Sequence, residues 1–279
     1  MSFQSSLISP IQLQESLGQN ANIILLDCTI DKVGQSIKEA KLEILPHSQF
    51  FDIEGKLSDP NSKLPHTLVS PEVFEREMRR LGINQDSILV LYDRWGIYSS
   101  PRAWWMLKVM GFKQVFILNG GVPAWKNNKF PLVEEYTTTV KPGNFKAQFQ
   151  ENLYADKEYI LTHYRDTKVN IFDARSKGRF SGLVAEPRKG LHSGHIPHSR
   201  NLPFEELLDG IVYKPIDELK RQFNHSNKTG DEYIFSCGSG ITASILAFAC
   251  HLVGHGQIRV YDGSWSEWGR EELNLPIEK

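Results

Sequence analysis

A cysteine directly follows one β-rich run and precedes an apolar helical one: Glu232-Tyr-Ile-Phe-Ser236, then Cys237-Gly-Ser-Gly-Ile-Thr242, then a segment that ends at Gly254. In open α/β domains, ligands bind beyond the carboxyl ends of the strands. Gly238 and Gly240 let the backbone turn sharply there, so successive N–H groups can converge on one point. The start of the following helix adds its partial positive charge. Such a cradle favours an anion, and the anion here is the cysteine's own sulfur. A free thiol, with a pKa of about 8.5, is only a few per cent ionised at pH 7. A preference of about 2 kcal/mol for the anion, within reach of a helix terminus and several aimed amides, makes the thiolate the working nucleophile. The chemistry expected is attack by Cys237. Cys250, inside the apolar segment, and Cys28, just past an earlier strand, lack such a loop and are expected to be small buried hydrophobes.

The elements that must position this loop occur twice. Asn22-Ile-Ile-Leu-Leu-Asp27 is answered by Val169-Asn-Ile-Phe-Asp173, with the two aspartates 146 residues apart. Ser87-Ile-Leu-Val-Leu-Tyr-Asp93 is answered by the run into Cys237, at an offset of 144. Helical segments ending at Gly111 and Gly254 follow, then the strands Gln114-Val-Phe-Ile-Leu118 and Gln257-Ile-Arg-Val-Tyr261. Gly120-Gly-Val-Pro-Ala-Trp125 finally answers Gly263-Ser-Trp-Ser-Glu-Trp268. The constant order and spacing indicate an internal duplication. In the first copy the equivalent loop begins with Asp93, which cannot be a thiol nucleophile, so only the second copy is expected to be catalytic.

Short β-rich runs alternate with amphipathic helices. Ser70 caps and Pro71 opens one of these before Gly82, and Asp217 to Phe223 reads as another. Alternation of this kind implies parallel strands joined by right-handed crossovers, hence two open α/β domains. The expected boundaries are residues 1–136, a polar linker at 137–151 carrying Lys141-Pro-Gly143, and residues 152–279. A chain of 279 residues accommodates two such cores.

A net charge of −1 argues against a nucleic-acid surface or an anionic membrane as partner. Three widely spaced cysteines make a poor disulfide framework and suit a reducing compartment. With no Lys or Arg before Lys32, neither a secretory nor a mitochondrial leader is expected, and Ser244 to Val253 is too short an apolar stretch to span a bilayer. The expectation is a soluble cytoplasmic protein.

With these residues in place, the chain resembles the tandem-domain rhodanese family along nearly its whole length. Gly120-Gly-Val-Pro-Ala-Trp125, Gly194-His-Ile-Pro197 and Tyr261-Asp-Gly-Ser-Trp-Ser-Glu-Trp-Gly269 carry the resemblance, while Glu43-Ile-Leu-Pro-His47 departs from the Gly-His-Ile-Pro form. The loop at 237–242 is similar to that of the 3-mercaptopyruvate sulfurtransferase branch. Members that use thiosulfate carry basic residues directly after the cysteine, where this chain has Gly238 and Ser239.

The resemblance implies that Cys237 takes up sulfur as a persulfide and that Gly238, Ser239, Gly240, Ile241 and Thr242 form the substrate-binding loop. It implies that Arg179 and Arg188, in Asp173-Ala-Arg-Ser-Lys-Gly-Arg-Phe180 and Glu186-Pro-Arg188, hold the substrate carboxylate, which suits the guanidinium fork. In the family, the segment matching Phe51-Asp-Ile-Glu54 and Leu64-Pro-His66 reaches the active site from the first domain. Glu54, His66 and Ser239 then match a proposed proton-handling set. Asp173 and Arg175 are expected to be a structural pair, and His195 a packing residue. The implied acceptors are a thiol, such as thioredoxin, or cyanide, with no metal or organic cofactor. A thiosulfate sulfurtransferase is the nearest alternative, and a non-catalytic sulfur carrier is one from another class. A cysteine phosphatase wants an arginine six residues past its nucleophile, where this chain has Ala243.

Overall fold

In the computed structural model, which describes residues 3–19, 22–138, 141–223 and 231–279, the chain forms two compact α/β units. The first comprises Met1–Asp59, Leu68–Phe149 and Gly210–Tyr213, and the second Pro60–Thr67, Gln150–Asp209 and Lys214–Lys279. Residues 139 and 140 of the expected linker lie outside the described residues.

The first unit is built on strands β1 (Leu7–Ile8), β2 (Ile23–Asp27), β3 (Gln49–Phe50), β4 (Ile88–Tyr92) and β5 (Val115–Leu118), in the spatial order β1-β5-β4-β2-β3. The second repeats it with β6 (Tyr154–Ala155), β7 (Val169–Asp173), β8 (Arg200–Asn201), β11 (Glu232–Ser236) and β12 (Gln257–Tyr261), in the order β6-β12-β11-β7-β8. Two short strands, β9 (Leu208–Asp209) and β10 (Val212–Tyr213), fall between them in sequence. Every pairing within the two five-stranded sheets is parallel. The central strands are therefore covered on both faces, which is why β4 reads Ile-Leu-Val-Leu-Tyr with all five residues buried. Register is shared as well. Asp27 sits opposite Tyr92, and Asp173 opposite Ser236. Both strand-ending aspartates thus stand beside the residue just before the variable loop, as the duplication requires.

Helix α2 (Pro71–Arg80) starts as its sequence predicts, with the Ser70 side chain accepting from Val73 N–H and Pro71 at the first helical position. Helix α8 (Ile241–Val253) is bracketed by two glycines with positive φ, Gly240 at +79° and Gly254 at +73°. Its turns are buried nearly throughout, as an apolar helix in an α/β layer should be. Trp104, Trp105, Trp265 and Trp268 are all buried. Among the described residues no helix is long and apolar enough to cross a membrane.

The loop after β4 shows what this strand–loop–helix junction can hold. The Asp93 carboxylate is fully buried. One oxygen accepts from the N–H groups of Tyr98, Ser99 and Ser100 at 2.9, 3.1 and 3.0 Å, and from the Ser100 hydroxyl at 2.8 Å. The other accepts from Trp95 N–H at 3.1 Å. Residues 210–213 pack over the same loop: Ile211 and Val212 would meet any side chain added at Gly96 and Gly120, and Tyr213 N–H donates to Asn119 Oδ1 at 3.0 Å. An anion at this position is held by converging amides and shut in.

Replacing Asp93 by alanine strands four N–H groups and a hydroxyl in a dry site, each costing about 1–3 kcal/mol when unpaired. Urea titration is expected to show Asp93→Ala less stable by at least about 3 kcal/mol, with Asp93→Asn, which keeps one acceptor oxygen, losing less.

Candidate active site

The Cys237 loop is shaped from outside by helix α9 (Ser264–Trp268). Trp265 N–H donates to the Cys237 carbonyl at 3.0 Å, and Ser266 N–H to the Gly238 carbonyl at 2.9 Å. No peptide bond here is cis. In a trans peptide the C=O and the following N–H point opposite ways. Tethering both carbonyls to α9 therefore aims the N–H groups of Gly238 and Ser239 away from it. Those two donors, with the intrahelically unpaired N–H groups of the first turn of α8, are what the loop offers an anion.

All three cysteines are free and buried. Burial pushes the thiols of Cys28 and Cys250 well above the ordinary range, the former helped by the charges of Asp27 and Asp93, so both stay protonated. Neither has a cradle. Cys237, 1% exposed, lies between Ser236 and the half-buried Gly238 at the junction of strand and helix.

The two arginines singled out by the sequence meet at Gly238. A Cβ placed there would lie 3.2 Å from Arg179 Nη2, a tight approach, and 3.9 Å from Arg188 Nη1, an ordinary contact, so both guanidinium groups border this glycine. Arg179 sits on the short helix α6 (Lys177–Phe180). Its Nε and Nη2 donate to the two oxygens of Glu186 at 3.1 and 2.5 Å. That carboxylate braces Arg179 while the guanidinium still faces Gly238. Glu186 also accepts from Arg175 Nη1 at 2.8 Å. Arg175 in turn grips Asp173, donates to the Gly194 carbonyl at 2.8 Å and lies 4.2 Å over the Trp265 ring. The Asp173–Arg175 pair is structural, as expected. Arg188 contacts only Ser266 Oγ, at 3.5 Å, and has no carboxylate partner among the described residues.

His66 and Ser239 also come together. His66 Nδ1 and Ser239 Oγ share a hydrogen bond of 3.0 Å, and the segment Pro60–Thr67 groups with the second unit, so both belong to one body. Glu54 belongs to the first unit, where partial desolvation raises its carboxyl above the usual range. His195 packs, as expected: its ring stacks on Phe180 at 3.7 Å, and its Nδ1 donates to the Phe180 carbonyl at 2.9 Å. Among the described residues no cluster of three His, Cys, Asp or Glu could hold a metal ion. Sequence reasoning missed the bracing role of Glu186 and the grip of α9. The one signal for the first was an acid spaced between two arginines; nothing local signalled the second.

The sequence pattern of the rhodanese-like domain matches this chain twice, over residues 9–128 and 156–271. The 3-mercaptopyruvate sulfurtransferase of Escherichia coli is 39% identical over 261 residues, which cover 92% of each chain. The thiosulfate sulfurtransferase TUM1 of Saccharomyces cerevisiae is 35% identical over 243 residues, 80% of this chain and 79% of that one. The crystal structure of SseA from Escherichia coli superposes with a TM-score of 0.82 at 34% identity, covering 95% of this chain and 100% of that one.

Glu186 neutralises two arginines from a site where its own side chain is 2% exposed, and Arg175 beside it is 1% exposed. Removing one partner of a buried ionic cluster costs about 3–5 kcal/mol. Glu186→Ala is expected to lose stability on that scale in chemical denaturation, and Glu186→Gln clearly less, since the amide oxygen can still accept from one guanidinium.

Proposed function

This chain belongs to the rhodanese-like domain family, and we propose that it is a sulfurtransferase that takes sulfur from 3-mercaptopyruvate onto Cys237 as a persulfide. The observation that carries this reading is the convergence of Arg179 and Arg188 on Gly238, the residue next to the nucleophile. Two cations side by side suit a small α-keto acid, whose carboxylate accepts from both forks. That fixes the donor by its acid end and leaves its sulfur to reach Cys237. The similarity to the Escherichia coli 3-mercaptopyruvate sulfurtransferase supports the same donor.

The Cys237 thiolate attacks the sulfur of the bound mercaptopyruvate. A sulfur–sulfur bond forms as the carbon–sulfur bond breaks, and its electron pair leaves on carbon as the enolate of pyruvate. A proton then completes pyruvate, with Ser239 and His66, hydrogen-bonded to each other, as the donor pair beside the loop. The persulfide rests among the N–H groups of residues 238–242. An acceptor thiolate, on a small thiol or on a protein such as thioredoxin, or cyanide, attacks the outer sulfur and returns the Cys237 thiolate. Sulfur enters and leaves in separate half-reactions, so ping-pong kinetics are expected. In this reading residues 1–136 form a non-catalytic domain, 137–151 a linker and 152–279 the catalytic domain. The three free cysteines fit a reducing, cytoplasmic setting.

The yeast relative's name raises thiosulfate as a second donor. The bare Gly238 and Ser239, in place of basic side chains, favour mercaptopyruvate. Comparison of kcat/KM for the two donors is expected to favour mercaptopyruvate, and the reverse order would reject the assignment. Cys237→Ser is expected to abolish transfer and the persulfide mass increment alike. Exchange of both Arg179 and Arg188 for methionine should raise KM for mercaptopyruvate by about a hundredfold while sparing thiosulfate, since charge-assisted bonds are worth about 1.5–3 kcal/mol each. Equal losses on both donors would remove the clamp from the scheme.

A further inference from the structure

Ser264 holds a backbone conformation that serine avoids. Its φ is +50°, in the left-handed region that glycine enters freely and other residues enter under strain. The first unit shows what the fold itself asks for there. Gly121, the counterpart at the start of helix α4 (Gly121–Asn127), has φ +48°, and the Val122 N–H that follows donates to the Asp93 carbonyl as the Trp265 N–H donates to that of Cys237. A side chain on Gly121 would run into the Asp93 carbonyl oxygen, at 2.1 Å from a Cβ. The second unit keeps the turn and its donor but puts a serine where glycine fits better. Strain retained at one point marks a site where something else is gained.

The gain is visible in the hydrogen bonds. Ser264 Oγ accepts the Cys237 N–H at 3.2 Å and donates to the Tyr261 carbonyl at 2.8 Å, and the residue is fully buried. Cys237 is therefore held on both sides of its Cα. Its N–H is fixed by the Ser264 hydroxyl and its carbonyl by the Trp265 N–H. With both peptides pinned, the direction of the Cα–Cβ bond is set, and so is the sulfur's approach to the loop amides.

We infer that Ser264 is a positioning residue for Cys237, its hydroxyl aiming the nucleophile at the cost of local backbone strain. The inference deepens the proposed sulfur transfer and rests on that reading for its catalytic arm.

Two substitutions separate aim from strain. Ser264→Gly removes the hydroxyl and the strain together, whereas Ser264→Ala removes the hydroxyl and keeps the strain. The glycine variant is expected to melt about 2–4 °C above the alanine variant. Both are nonetheless expected to lose kcat/KM for mercaptopyruvate about tenfold or more. Iodoacetamide labelling of Cys237, followed across pH by mass spectrometry of its peptide, should slow to the same degree in both near neutral pH. A glycine variant with the parent's labelling profile and transfer rate would overturn the inference, leaving the serine structural only. If the parent protein itself transfers no sulfur, the proposed function fails, and the labelling profiles alone then decide the role of Ser264.

Discussion

A negative charge inside a folded protein must be met by donors that are already in place, because water is not there to turn toward it. Both halves of this chain answer that demand at one address, the end of the fourth strand of a five-stranded parallel sheet. In the first half the charge is the Asp93 carboxylate, and its donors are the N–H groups of the loop that follows. In the second half the residue is Cys237, with carbonyls drawn back toward α9 so that the neighbouring amides face the other way. The fold supplies an anion cradle twice. The two copies differ in whether the occupant is a buried carboxylate or a cysteine sulfur.

Around the second cradle, charge is arranged in graded burial. Arg175 and Glu186 are almost wholly enclosed, and Arg175 is satisfied by Asp173, Glu186, a backbone carbonyl and the face of Trp265. Arg179 is braced by the same carboxylate but remains partly exposed. Among the described residues, Arg188 has only a long hydrogen bond to Ser266. The inner cation is fully paired and rigid, while the outer ones are less enclosed. Gly238 lies at the centre of this arrangement, because a side chain there would crowd Arg179 and touch Arg188.

Much of this was legible in the residues. The repeat offsets place β2 against β7 and β4 against β11 with matching ends, and the structure returns the same strand order and register in both sheets. The cap at Ser70 and the apolar helix after the cysteine also followed from local pattern, and the packing role of His195 from the family resemblance. The partners of Glu186 were not legible, since an acid near several bases in sequence cannot reveal which pair it closes. Ser264 gave no sign at all, because a positive φ cannot be read from a serine's identity. The segment around His66, read with the first domain, joins the second unit, a matter of long-range packing that no local pattern encodes.

By itself, then, the chain determined its main strands and helices, its duplication and the place of its candidate nucleophile, because these depend on periodicity, turn chemistry and residue type within a few positions. Only the folded molecule decided how Glu186 divides itself between two arginines, which hydroxyl receives the Cys237 N–H, and that His66 lies against Ser239. Those contacts range from 7 residues apart for Arg179 and Glu186 to 173 for His66 and Ser239, and their geometry is fixed by the packing of helices and loops against a sheet. Distances of about 3 Å between such groups are a property of that packing, not of any stretch of sequence.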